Sequence, residues 1–219
     1  MARTLTHEQA RRVYDRIGSF QDSQAFYEDK TTHELVEHAA LETATSVFEF
    51  GCGTGRFAET LLEKHLAPNA TYRGIDLSPT MFELARSRLE RFGARAAVAL
   101  SDGTAPTTEP TAGYDRWVST FVLDLLSEHD IDAILSEAHR MLVPGGLLCL
   151  AGLSTGDGWL TKSMASLWAA VHAVSPELVG GCRPLDLLGH LRPDRWTIRH
   201  HRVLAPFFVP SEAIIAVRS

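Results

Sequence analysis

Cysteine is scarce: the chain holds three, Cys52, Cys149 and Cys182, widely separated and odd in number. That argues against a disulfide framework and a CxxC metal site, and it makes a reducing, cytoplasmic setting the expectation. Long apolar runs are missing too. The longest, Leu147 to Leu153, is strand-sized, and the opening MARTLTHEQARRVYDRI has no apolar core of the kind a leader needs, so no stable membrane insertion is expected. There is no excess of positive charge. The formal net charge of −6 leaves little to gather phosphates, and no nucleic-acid partner is expected. Arg86, Arg88, Arg91 and Arg95 come nearest to a basic patch, but their spacing on a helix reads as a solvated face. Histidine spacing suited to a metal is absent as well. His200 and His201 are adjacent on a strand and point to opposite faces, and His33 and His38 miss the four-residue helical step. No metal site is expected.

What remains is an ordinary globular composition, 45% hydrophobic and 22% charged over 219 residues, enough for one α/β domain with a sizeable core. Residues 6–17 and about 23–43 read as two helices. Beyond them, short apolar runs (Ser46–Phe50, Thr71–Asp76, Ala96–Leu100, Arg116–Thr120 and Leu147–Leu153) alternate with helical segments near 55–66, 79–92 and 129–142. Ser78-Pro79 marks a helix start, and Pro144-Gly145-Gly146 stops a helix and turns into the next strand. Strand–helix alternation implies a parallel sheet covered on both faces. Residues 154–193 break the rhythm with a helix near 159–174 and a short one over 185–191. Trp196–Leu204 and Ala213–Val217 close the chain as an antiparallel pair. The expected fold is a Rossmann-like, seven-stranded, mostly parallel sheet with an antiparallel C-terminal pair. Its single domain divides into an N-terminal helical lid (1–43), a cofactor-binding core (46–153), a substrate-covering insertion (154–193) and the terminal strands (194–219).

The first strand runs into VFEFGCGTGRFA, three glycines two residues apart before a helix. Glycines permit positive φ and close approach, and the helix start offers free N–H groups, so the turn suits a cofactor. A pyrophosphate prefers GxGxxG. This turn is GxGxG, and Glu49 before it would repel phosphate. Asp76 ends the second strand about 20 residues after Gly55, where an acid reaches the hydroxyls of an adenosine ribose. Asp102 follows the third strand, where a carboxylate or backbone group can accept from an adenine amino group. Together these point to a cofactor with adenosine and without phosphate.

EFGCGTG, YRGIDLSPTMFELAR, SDGTA, YDRWVSTFVLDLLS and EAHRMLVPGGLLCLAGLS, in that order, resemble the class I S-adenosylmethionine-dependent methyltransferases, over about residues 46–153. The likeness is to the small-molecule branch that includes ubiquinone/menaquinone-type enzymes. It implies S-adenosyl-L-methionine as cofactor and S-adenosyl-L-homocysteine as product. It also implies that Glu49, Gly51, Cys52, Gly53 and Gly55 bracket the methionine portion, with Asp76 on the ribose, Leu77 on the adenine face and Met81 beside it. Asp102 and Gly103 then meet the adenine edge, and Ser119 to Phe121 lie beside the sulfonium and the incoming substrate. Leader and runner-up are methyl transfer to a small, partly hydrophobic acceptor, or to a lipid headgroup, protein or RNA. A non-catalytic binding module stands as a third reading. No Asn-Pro-Pro-Tyr-type tetrad follows the fourth strand, which weakens exocyclic-amine and glutamine acceptors. Oligomeric state is not legible.

The chemistry itself needs few residues, since an activated methyl group mainly requires alignment and dryness. Tyr14 and Tyr27 either face the sulfonium or dock the lid. Trp159, in a Trp/Met stripe with Trp168, either covers the substrate or packs as core. His172 is either a general base or structural. Arg183 either meets an anionic or carbonyl substrate or pairs with Asp186.

Overall fold

Thr6 starts the first helix with a reciprocal cap: its hydroxyl accepts from the Gln9 N–H while the Gln9 side chain accepts from Thr6 N–H. The computed structural model describes residues 4–219, the side chains of residues 23–27 and 177–178 lying outside that description. Helices α1 (His7–Ile17) and α2 (Ala25–His38) precede β1 (Ser46–Phe50), α3 (Arg56–Thr60), β2 (Thr71–Asp76), α4 (Pro79–Leu89), β3 (Ala96–Leu100) and β4 (Tyr114–Thr120). Then come α5 (Glu128–Met141), β5 (Leu142–Leu153), α6 (Trp159–Val174), α7 (Leu187–His190), β6 (Trp196–Leu204) and β7 (Ser211–Arg218).

The seven strands form one sheet in the order β3-β2-β1-β4-β5-β7-β6. The first five are parallel, and β7 runs antiparallel between β5 and β6. Burial explains why the last strand, not the sixth, takes the inner place: β7 is buried over Ser211–Ala216, whereas β6 carries Arg199, His200, His201 and Arg202. A charged strand suits an edge.

Alternate residues feed two cores. Val47, Val118, Cys149 and Ile215 pack with Leu35, Leu61, Ala85 and Leu89 on one face; Phe48, Trp117, Leu148 and Ile214 pack with Ile131, Ile134 and Met141 on the other.

Three expected boundaries move. The second helix ends at His38, where Ala40 takes a left-handed φ of 47°. Helix α3 gives way at Leu61 to a π-helical turn through His65. Pro144-Gly145-Gly146 does not separate helix from strand. The chain enters β5 directly at Leu142, and the register between β4 and β5 shifts at Tyr114/Arg116 opposite a left-handed Gly145.

Strand order reverses between β1 and β4, so the connections leaving them diverge. A crevice at their carboxyl ends is the geometric consequence.

Candidate active site

That crevice is a cavity of about 320 Å³, walled by the ends of β1, β2 and β3 and roofed by α1, Gln21-Asp22 and α2. The turn after β1 is pulled onto β2, because the Gly51 and Cys52 N–H groups both donate to the Ile75 carbonyl, at 2.9 and 3.0 Å. Gly51 has φ +76°, and a Cβ there would lie 2.4 Å from Val122 Cγ2. Gly53, at φ +53°, has no atom within 4 Å on its Cβ side and offers bare backbone to the cavity. Gly53 N–H donates to Asp76 Oδ2 at 2.8 Å, and Gly55 N–H to the Cys52 carbonyl at 2.9 Å. These four donors are thus spent inside the protein rather than offered to a ligand.

Asp76 is held from both sides: Oδ2 by Gly53 and Oδ1 by the Ser78 N–H at 2.9 Å. Burial pushes its carboxyl up against the pull of those donors. Glu49 is buried in the wall and accepts from the Tyr72 hydroxyl at 2.5 Å. Burial raises its pKa to about 7; the Tyr72 bond opposes that rise and nearby Asp76 adds to it. Cys52 also lines the wall, its thiol pushed well up by burial and by Asp76 and Glu49, which makes it a poor nucleophile.

At the other end lie Leu77, Met81, Ser101 and Gly103. Phe121, at φ +55°, with Val122 and Leu125 makes the apolar side.

The roof is latched to the core by carboxylates. Asp15 on α1 accepts from Ser78 Oγ at 2.6 Å and from Thr80 N–H at 3.3 Å, at the start of α4. Asp22 accepts from Thr54 Oγ1 at 2.6 Å and from Arg88 at 2.8 Å, and Arg88 also donates to Thr54 Oγ1. On α2, Asp29 pairs with Arg56 at 2.7 Å, Thr31 bonds Ser211 at 2.6 Å, and buried Glu34 pairs with His200 and Arg202, each at 2.9 Å.

A methyltransferase-domain family model matches residues 47–146. A trans-aconitate 2-methyltransferase from Methylobacterium radiotolerans is 32% identical over 194 residues, covering 81% of this chain and 71% of that protein. The chain belongs to the class I S-adenosylmethionine-dependent methyltransferases. A demethylmenaquinone methyltransferase of Tropheryma whipplei is 33% identical over 49% of this chain and 41% of its own length. So the chain spans less than half of some curated relatives. Among solved structures, the [4+2]-cyclase SpnF shares the fold at TM-score 0.75 and 16% identity over 99% of this chain and 98% of that one. A geranyl diphosphate methyltransferase in complex with S-adenosylmethionine does so at 0.66 and 14%, over 88% and 86%.

In this methyltransferase the cavity gathers Tyr14, Glu49, Gly51, Cys52, Gly53, Asp76, Leu77, Met81, Gly103 and Phe121 of the residues expected from sequence. The others go elsewhere. Gly55 serves packing: a Cβ there would stand 3.0 Å from Ala85 Cα where α3 crosses α4. Ser119 is buried and donates to the Phe50 carbonyl at 3.0 Å, tying β4 to β1. Asp102 turns its carboxylate into its own loop, accepting from Thr104 N–H and Oγ1 at 2.9 and 2.6 Å, which holds it below the usual carboxylate range. It borders a separate shallow hollow with Leu100 and Glu8.

His172 is buried off the cavity wall, its Nε2–H donating to the Gly181 carbonyl at 3.1 Å. Burial lowers its pKa, which favours the neutral ring that donates here; its place off the cavity wall is what removes it from the reacting region. Arg183 is buried too; it donates to the Asp124 carbonyl and to Glu128, each at 3.2 Å, while Asp186 caps α7 instead. Trp159 is 77% exposed at the start of α6, away from the wall, whereas Trp168 donates to the Cys182 carbonyl at 2.9 Å. The Tyr14 hydroxyl reaches the Gly180 carbonyl at 3.4 Å, so the ring both lines the cavity and docks the lid. The Tyr27 side chain lies outside the described residues.

Sequence reasoning missed Asp15, Asp22, Asp29 and Tyr72, and it read Arg88 as solvated when it is half-buried in the Asp22 latch. No local pattern marks them, since each partner is distant in sequence. It also missed that Glu34, His38 and His200 converge closely enough to share an ion. Here the His rings stack 3.6 Å apart and Glu34 is met by Arg202, an arrangement that works as a fourth latch.

Proposed function

We propose that this chain holds S-adenosyl-L-methionine in the cavity and transfers its methyl group to a small, partly hydrophobic acceptor. One observation carries the reading: Glu49, the open backbone of Gly53, doubly held Asp76, Leu77 and Gly103 follow one another along a single wall at the ends of three adjacent strands. The fit is chemical. Glu49 suits the ammonium of a methionine moiety, and Asp76 keeps lone pairs for ribose hydroxyls beside the backbone N–H groups that aim it. Leu77 offers an apolar face to adenine, and a Cβ-free Gly53 leaves room for the chain between.

S-adenosyl-L-methionine held by these residues would supply a sulfonium-activated methyl group, open to in-line displacement by an acceptor lone pair with the C–S pair passing to sulfur. The protein's own residues align and exclude water. Phe121, Val122 and Leu125 form an apolar face against the reacting region, and Tyr14 closes the lid over it, giving a ring face that suits a cation. A proton lost from an acceptor hydroxyl or amine leaves to solvent or to a wall histidine such as His33 or His65.

Isothermal titration with S-adenosylhomocysteine tests the binding half, and methyl-labelled S-adenosylmethionine with a fractionated extract tests the transfer. Label is expected in the metabolite fraction and is expected to disappear with Asp76→Ala. Label in protein or RNA, or no binding of S-adenosylhomocysteine, refutes the proposal.

A further inference from the structure

We infer that Glu34, His38 and His200 form a site for a divalent transition-metal ion that fastens α2 of the lid to the edge strand β6; the inference is independent of the function proposed above. Glu34 is buried, and its two oxygens face different partners. Oε2 takes Arg202 at 2.9 Å, while Oε1 lies 2.9 Å from His200 Nε2 and 3.6 Å from His38 Nδ1. The three donor groups offer atoms that all fall within 4.8 Å of one another. Donors about 2.0–2.1 Å from a tetrahedral zinc stand about 3.3–3.4 Å apart, so small side-chain shifts bring all three onto one ion. The four-residue step puts Glu34 and His38 on one face of α2, and β6 brings His200 up to it.

The hydrogen bonds already present are those of a metal-free ligand set. His200 Nε2–H points at Glu34 Oε1, and His38 Nδ1–H at the Glu34 carbonyl at 2.9 Å, so each proton sits on the nitrogen that an ion would take. Such sites release those protons when metal binds. Arg202 is the competing cation, and its side chain is 60% exposed, so it can turn to water as the ion enters. Two imidazoles and a carboxylate suit zinc, nickel or copper; magnesium and calcium want oxygen donors. The role this supports is structural. None of the three residues lines the cavity, whose wall takes Asp29, Thr32, His33 and Val36 from the opposite side of α2. One turn earlier Thr31 bonds Ser211, so an ion at Glu34 adds a second tie between this helix and the terminal strands.

Calorimetric titration of untagged, chelator-stripped protein with Zn²⁺ tests this, with Co²⁺ as a spectroscopic probe. One saturable Zn²⁺ per chain is expected, with a higher melting temperature in its presence. Co²⁺ is expected to give the visible bands of a four- or five-coordinate ion and paramagnetically shifted signals from two imidazoles. His38→Ala and His200→Ala should each weaken Zn²⁺ binding more than about 100-fold, beyond the roughly 10- to 100-fold that an outer-shell change costs. Arg202→Ala should tighten it several-fold by removing the competing cation, whereas a cluster that serves only as an ion-pair latch would gain no metal affinity from that change. The Co²⁺ spectrum and the Arg202 variant keep the inference testable should a histidine variant fail to fold. No saturable Zn²⁺ binding, a water-like octahedral Co²⁺ spectrum, or an affinity that survives both histidine substitutions overturns it.

Discussion

The Tyr72 hydroxyl donates to Glu49 Oε2 at 2.5 Å across the β1–β2 pair, and Gly74 makes the space for it. A Cβ on Gly74 would lie 2.6 Å from that hydroxyl and 3.0 Å from Cys52 Cβ. A buried acid in the cavity wall is thereby positioned by a phenol that no glycine motif announces. The bond matters because burial alone would leave Glu49 largely protonated near neutrality.

Cofactor affinity is expected to follow Glu49 ionisation. Its pKa is raised to about 7, and a bound ammonium favours the charged form, so affinity falls as pH drops below 7 and levels off above 8. Calorimetry between pH 5.5 and 8.5 checks this. Glu49→Gln is expected to weaken binding and flatten the profile, and Tyr72→Phe to move its midpoint upward. For folding without cofactor the sign is opposite. A raised acid pKa gives stability that is present below about 4 and lost as pH rises through 7, so Glu49→Gln should stabilise the free protein at pH 8, by up to about 3 kcal/mol.

Gly51 and Gly53 are expected to part company on alanine substitution. Gly51→Ala drives a Cβ against Val122 at a positive φ and should cost about 3 kcal/mol or more, recovered in part by Val122→Ala. Gly53→Ala meets no protein atom within 4 Å and should cost only about 1 kcal/mol of stability. Its methyl enters the cavity instead, so S-adenosylhomocysteine binding should be lost at nearly unchanged core stability. Thermal melts and titrations on the two variants separate these outcomes.

Loosening the roof should speed cofactor release. Arg88→Ala removes the donor that spans Asp22 and Thr54 in a half-buried latch. Partial exposure limits the stability loss to about 1 kcal/mol. Stopped-flow release of S-adenosylhomocysteine should quicken several-fold, with earlier proteolytic cleavage in residues 18–24. Equal release rates in the two proteins would remove Asp22 from the list of lid latches.

His172→Gln should leave methyl transfer and its pH profile close to the parent values, because an amide can still donate to the Gly181 carbonyl. His172→Ala should lower stability by about 1–2 kcal/mol through the lost bond and the cavity left in a buried site. A pH–rate limb that vanished in both variants would restore histidine as a base.

What this sequence determined by itself is what depends on near neighbours. Strand–helix alternation, the β1 turn with glycines in left-handed conformations, and the Asp76 position all follow from local period, φ preference and spacing. These sufficed to name the family and many of the residues that line the cavity. The tertiary structure decided the rest. Insertion of β7 between β5 and β6 needed the burial of a whole strand to be weighed against a charged edge. His172, Arg183 and Ser119 looked available until the carbonyls of Gly181, Asp124 and Phe50 claimed them. Glu34 and Asp22 carried no signal in the sequence; β6 and α4 brought His200, Arg202 and Arg88 to them. A polar side chain takes whichever partner burial presents, and that partner is chosen by the whole chain's packing, not by the residues beside it.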